Sequence, residues 1–389
     1  YSANLSAHYY ELARHYEASG DEANTIKYLE KAGDKARDNY ENERAIKYYK
    51  SLFSLINKQE KIETICKIVE IYKMQGKWNQ SLSLLKKYCS VKISLNNLEL
   101  FVKYGEIYFL KGEYVEAMRV YKKALRYMNF SDDKRLICNF FGGMGRVHLK
   151  LSNFRKANHN FNLQLRYATA QLNKIEIAKA HENIGVLKRL KGNYSSALNH
   201  YKICSKIYHY LNNKYFQAIV IDKIGTIYFY MGDFQNALKN YYHALKINKS
   251  IKSVQAYQNT LGNISIVLIA SGKLLKATQF LMRRLVLCKK LNESQSIANT
   301  YFSLGNLRLK EKKFDEALSY FEDSTLIAER LKNLQLLSKI NANKSLVFQT
   351  LEKYESAENC LIQQIRTDRK IGNSEGLLRG YVNLGNNFS

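Results

Sequence analysis

The sequence predicts an all-α solenoid of helix-turn-helix units, and three observations carry that expectation. A small residue recurs every forty positions, as Gly105, Gly145, Gly185, Gly225, Ser265, Gly305, Ser345 and Gly385. An alanine recurs in the same register at Ala117, Ala157, Ala197, Ala237, Ala277, Ala317 and Ala357. Proline is absent from all 389 residues, which suits uninterrupted helices and argues against proline-rich linkers. In an array each unit buries its apolar face only against its neighbours, and a hydrophobic content of 46% is enough for a continuous core.

Each element follows from this register. The pattern is clearest over Ile219–Lys249, where Gly225 and Tyr228 sit in a first helix, Gly232-Asp233-Phe234 makes a turn, and Ala237, Tyr241 and Ala244 follow in a second helix. The small residue marks the crossing of a unit's two helices, where overpacking costs about 1–3 kcal/mol. An aromatic precedes the alanine as Tyr114, Phe154, Tyr194, Phe234, Phe314 and Tyr354, with Leu274 the aliphatic stand-in. The turn within a unit carries Gly112, Gly192, Gly232 and Gly272, where glycine takes positive φ freely. Ser152, Lys312 and Glu352 replace it and should make less favourable turns. Between units, Leu211, Ile251, Leu291, Leu331 and Ile371 read as hydrophobic anchors before the turn residues Asn213, Ser253, Glu293, Asn333 and Asn373. In the unit before them Gln171 holds the anchor place, and Leu172 beside it is the apolar residue.

Three segments result. Residues 1–60 are leading helices, repeat-like but irregular, and 61–97 form one further repeat-like unit around Val69, Tyr72, Gly76 and Trp78. Residues 98–389 form the forty-residue array, seven full units plus the first helix of an eighth. The chain starts without Met and stops within a repeat, so it reads as part of a longer polypeptide.

Composition narrows the function. The six cysteines are scattered without a CxxC pair, as expected of a reducing, cytoplasmic setting rather than a disulfide framework. Histidine spacing gives no metal site, and no nucleophile–base set, paired carboxylates or phosphate loop stands out, so neither cofactor nor catalysis is expected within this chain. No apolar run approaches the roughly 18 residues of a membrane span. The net charge of +27 leaves two readings open. One is compositional bias towards Lys, Asn, Ile and Tyr; the other is a basic surface for nucleic acid, anionic lipid or acidic protein. Most tyrosines, among them Tyr108, Tyr121, Tyr201, Tyr228 and Tyr241, fall at packing positions rather than on a stacking platform.

These units resemble the forty-residue class of tetratricopeptide repeats found in Pins/LGN-like scaffolds, with Ile224-Gly225 to Leu245 and Leu304-Gly305 to Phe321 matching best. The leading segment, through His15-Tyr16, Gly20-Asp21, Tyr28-Leu29, Lys31-Ala32-Gly33 and Ala45-Ile46, resembles the part that follows the NTPase module in multidomain proteins related to soluble adenylyl cyclase. The resemblance implies a right-handed superhelical solenoid with the first helices lining an inner groove that holds a protein or peptide. It also allows contact with other domains of a parent cyclase or ATPase-like signalling protein.

The inward positions are then Arg146, Lys179, Asn183, Lys223, Asn259, Asn263, Asn299, Asn306, Lys339, Asn343, Arg379 and Asn383, with Glu182, Asp222, Thr226 and Asn386 beside them. Asparagine both donates to and accepts from a peptide backbone, so a ladder of them suits an extended chain. The lysines and arginines would favour carboxylates on that chain. The alternative is an ordinary solvated face in an asparagine-rich protein. The two-carboxylate clamp for chaperone tails is not intact here, which disfavours that ligand.

Overall fold

The computed structural model describes residues 8–89 and 93–387; the ends of the predicted leading segment and array, and residues 90–92, lie outside it. Among the described residues there are twenty α-helices and no strand.

The chain divides into two compact units, Tyr1–Gly192 and Asn193–Ser389. The first holds α1 (Tyr9–Ala18), α2 (Glu22–Asp38), α3 (Asn42–Ser51), α4 (Lys58–Met74), α5 (Trp78–Cys89), α6 (Leu98–Lys111), α7 (Tyr114–Met128), α8 (Lys134–Lys150), α9 (Phe154–Ala170) and α10 (Lys174–Leu190). The second holds α11 (Tyr194–Tyr210), α12 (Lys214–Tyr230), α13 (Phe234–Ser250), α14 (Val254–Ala270), α15 (Leu274–Lys290), α16 (Ser294–Lys310), α17 (Phe314–Arg330), α18 (Leu334–Thr350), α19 (Tyr354–Ile371) and α20 (Ser374–Asn386). Within each unit neighbouring helices pack in pairs. First helices also touch one another: α4 with α6 and α6 with α8 in one unit, α12 with α14 and α14 with α16 in the other. Their outer surfaces therefore form a shared face.

The backbone repeats twice as often as the sequence pattern suggests. Every helix from α8 to α18 is 17 residues long. Each connector from α8 through to α19 carries a positive-φ residue, at 152, 172, 192, 212, 232, 252, 272, 292, 312, 332 and 352. The glycines at 192, 232 and 272 were legible as such turns. Leu172, Asn212, Lys252, Asn292 and Lys332 were not, and they take φ between 50 and 54° without glycine's freedom. What holds them is the hydrogen bonding of the helix end. The N–H two positions past the last full turn donates back to a helix carbonyl, as in Asn213 to Tyr208 (2.9 Å) and Asp233 to Tyr228 (2.9 Å). Asn193, Asn213, Asp233 and Asn333 then cap the next helix through their side-chain oxygens.

The inter-unit anchors are buried to different degrees, with Leu211, Ile251 and Ile371 half-buried. Leu291 and Leu331 are about two-fifths exposed (41% and 42%), and Leu172 is 82% exposed at positive φ. Gln171 donates instead to the Tyr167 carbonyl (3.0 Å). The turns at 172, 292 and 332 are closed by backbone hydrogen bonds, with little help from apolar burial.

The helix crossings are closely packed. All seven register alanines from Ala117 to Ala357 are fully buried. At the close-approach position, a Cβ added to Gly105 would lie 2.6 Å from the Tyr121 ring, and one added to Gly145 would lie 2.4 Å from Phe161. The same holds for Gly305 against Phe321 at 2.5 Å. Where the small residue is Ser265 or Ser345, the corresponding second-helix residue is Leu281 or Leu361 instead of an aromatic ring, and both leucines are fully buried. A larger first-helix residue thus goes with a smaller second-helix one.

Candidate functional site

Two clefts open on the first-helix faces, one in each unit. In the first unit a cleft of about 570 Å³ lies along α4, α6, α8 and α10. Arg146, Lys179 and Asn183 line it, together with Glu70, Lys73, Lys103 and Glu106. Lys73 reaches both Glu70 (2.5 Å) and Glu106 (3.3 Å), and Lys103 pairs with Glu70. Burial pushes the Glu70 carboxyl up, but the opposing charges of Lys103 and Lys73 outweigh it and hold it below its usual range. Asn183 donates to Gln164 (2.9 Å), which reaches the cleft from α9. The Arg146 guanidinium lies 5.6 Å from the centre of the Phe109 ring, and its Nε is buried with no hydrogen-bond partner. Lys179 is tied to Glu176 (2.8 Å) yet stays exposed.

In the second unit a cleft of about 740 Å³ is lined by Lys339, Asn343, Arg379 and Asn383, with Phe302, Leu346 and Ile371 giving it apolar walls. Asn343 donates to Asn306 (2.5 Å). Gln364 of α19 lies at this cleft and donates to the Gly376 carbonyl (3.2 Å). Next to it Asp368, fully buried, accepts from Ser338 (2.7 Å) and Asn373 (2.8 Å).

The remaining predicted residues, Lys223, Asn259, Asn263, Asn299 and Asn306, sit on α12, α14 and α16 but line neither cleft. Asn259 is exposed, while Lys223, Asn263, Asn299 and Asn306 are half-buried. Asn263 donates to Asp222 (2.7 Å), which also accepts from Thr260 (3.0 Å). Burial raises the Asp222 carboxyl to about 6, against the lowering effect of those two hydrogen bonds. Asn263 and Asn343 therefore each spend one amide N–H on the protein itself and keep the other, with the carbonyl, for a ligand, while the Asn306 carbonyl already accepts from Asn343.

The expected face omitted two groups of residues. Lys103, Glu106, Lys67 and Glu70 stand at the same offsets from Gly105 and Val69 as the predicted residues from their own small residues, so the pattern did contain them. Gln164 and Gln364 come from second helices, which the inward-position rule does not examine. Among the described residues no group of three or more His, Cys, Asp or Glu is placed to hold a metal ion, and no helix is long and apolar enough to cross a membrane.

The tetratricopeptide repeat family matches this chain over residues 175–252, and again over 98–127 and 298–330. The matched stretches are tetratricopeptide repeats. No curated protein matches it in sequence. Among solved structures, the array is similar to a Rap protein complexed with competence and sporulation factor, at 16% identity and TM-score 0.63, covering 90% of this chain and 98% of that one. It is similar to the Rap conjugation gene regulator of plasmid pLS20 in complex with a Phr peptide, at 15% identity and TM-score 0.55, over 90% and 98% of the two chains. It also resembles a signal-transduction ATPase with a tetratricopeptide repeat sensor from Pyrococcus horikoshii, at 14% identity and TM-score 0.60, covering 87% of this chain and 54% of that one. At these identities the likeness is one of fold.

Proposed function

We propose that the tetratricopeptide array is a regulatory receptor or scaffold that holds an extended peptide on its first-helix face. The observation that carries this is the coincidence of the two clefts with the polar register. Arg146, Lys179 and Asn183 line one, and Lys339, Asn343, Arg379 and Asn383 line the other. Apolar walls with a few convergent polar groups suit a peptide better than a folded surface. Solved neighbours of this fold with a peptide or factor bound support the reading. The cationic residues favour acidic positions in the ligand. The likeness to the sensor of a signal-transduction ATPase supports a finer possibility, in which the array reads a ligand for a linked NTPase or cyclase module.

The test is selection from a displayed library of extended peptides, followed by affinity measurement on the best binder. Changing Lys339, Asn343, Arg379 and Asn383 together to Ala removes several contacts of about 0.5–1.5 kcal/mol each and should weaken binding at least about tenfold, with helicity unchanged. Selection of no peptide, alongside nucleic-acid binding that falls steeply with salt, would overturn the proposal in favour of the basic-surface alternative.

A further inference from the structure

Arg284 on α15 is not explained by packing. It is only 8% exposed, and its guanidinium lies against the backbone of Gly262 on α14, where an added Cβ would come within 2.8 Å of a terminal nitrogen and 2.9 Å of Cζ. Its Nε is buried with no hydrogen-bond partner. A guanidinium taken out of water is costly unless paired. The carboxylate that raises its basicity, Glu293, is already bound by Gln258 and by Ser296 (3.0 Å). Burial outweighs that carboxylate and pulls the arginine's pKa down.

The register says what this place is. Residues 164, 284 and 364 are equivalent, and Gln164 and Gln364 each line a cleft between first helices. Gly142 lies over Gln164 as Gly262 lies over Arg284: an added Cβ would meet the Gln164 amide at 2.8 Å. At 164 and 364 the second-helix side chain reaches a cleft between first helices, and over 164 and 284 a glycine leaves it room, where Ala342 stands in the unit of Gln364.

We propose that Arg284 forms the floor of a carboxylate-binding subsite between α14 and α16, flanked by the asparagines of those two helices. The assignment rests on the peptide reading above and names the chemistry of one ligand position. A planar carboxylate would satisfy the orphaned N–H and neutralise the buried charge. It would come from either an acidic side chain or the C-terminus of the peptide.

Two measurements test this, on the wild-type chain and on Arg284→Gln, the residue this register carries at 164 and 364. The first titrates sodium acetate and follows the Arg284 Nε–H resonance, assigned by its loss in the variant. A saturating shift with acetate and none with matched sodium chloride is expected, and no acetate response overturns the subsite. The second compares peptides selected by the wild type with their C-terminally amidated and Asp→Asn or Glu→Gln forms. One of these changes should weaken wild-type binding at least about tenfold and leave binding to R284Q nearly unaffected, which also identifies the source of the carboxylate. An unchanged carboxylate preference in R284Q sinks the subsite but leaves the groove. An acetate response with no peptide selected keeps the anion site and sinks the groove.

Discussion

The exchange between glycine–aromatic and serine–leucine crossings predicts the outcome of transplanting one into another. Gly305→Ser puts a Cβ 2.5 Å from Phe321 Cε1 and 2.6 Å from Cδ1, well inside the roughly 3.5–4.0 Å of a normal carbon contact. Phe321 is fully buried, so its ring has nowhere to go without moving a helix. Overpacking of this kind costs about 1–3 kcal/mol, offset by about 0.5 kcal/mol because serine is a better helix former than glycine. The net expectation for G305S alone is a loss of about 0.5–2.5 kcal/mol. Phe321→Leu alone removes ring volume and should cost about 1–2 kcal/mol through the void it leaves. The double variant recreates the pairing present at Ser265–Leu281 and Ser345–Leu361, so the serine enters the space the ring has vacated. It should be more stable than the sum of the single effects by about 1–2 kcal/mol. Urea unfolding of the four chains, followed by far-UV circular dichroism, measures that coupling. Repeat arrays can lose cooperativity, so all four must share one m-value for the cycle to be read. Additivity within about 0.5 kcal/mol would refute the steric account and leave the sequence correlation without a physical basis.

Two further predictions concern the turns and a buried acid. Lys312 holds φ at +59° in a solvent-exposed turn, so Lys312→Gly should relieve about 1–2 kcal/mol of left-handed strain. Up to about 1 kcal/mol of this is returned through the freer unfolded chain, so a slightly raised urea midpoint is expected and a lowered one contradicts the reading. Asp222 titrates near 6 in the folded chain against an ordinary 3.8, so the native state holds its proton more tightly. Its contribution is fully present below pH 3.8 and is lost as pH rises to 6, by at most roughly 3 kcal/mol. Asp222→Asn should remove that part of the decline between pH 4 and 6; parallel stability–pH curves for the two chains would show the acid is not perturbed.

The fold was legible because its determinants are local and repeated. A small residue at a helix crossing and an alanine opposite are required by the close packing, and glycine is favoured at the turn, so forty-residue spacing exposes them against any background. The twenty-residue backbone period was hidden because half of its positive-φ positions carry Leu, Asn or Lys. Asn212 and Asn292 carry the weaker signal of a residue that tolerates the left-handed region, while Leu172, Lys252 and Lys332 carry none and take it from the helix-end hydrogen bonds. The same reason explains Leu291 and Leu331, where apolar residues suggested burial that the turn does not need.

The candidate site was legible as a face and much less so as chemistry. Register assigns Asn263 and Asn343 to the first-helix surface, but only coordinates reveal that one amide is held by Asp222 and the other by Asn306. A period cannot say whether a polar group is spent, because its partner lies a whole repeat away on another helix. Arg284 is the sharper case. On sequence it is one basic residue among 61 Lys and Arg, at a second-helix position where Ala244 and Ser324 stand in neighbouring units. Its meaning depends on Gly262 opening the space above it and on Glu293 being already occupied. The chain's large positive charge draws attention to exposed lysines, whose contribution to binding is weak and screened. A buried guanidinium discriminates more strongly, because a ligand that cannot satisfy it leaves a desolvated charge behind. On the proposed peptide reading, specificity should therefore reside in a few second-helix residues reaching the groove floor, with the first-helix polar ladder supplying contact that many peptides can share.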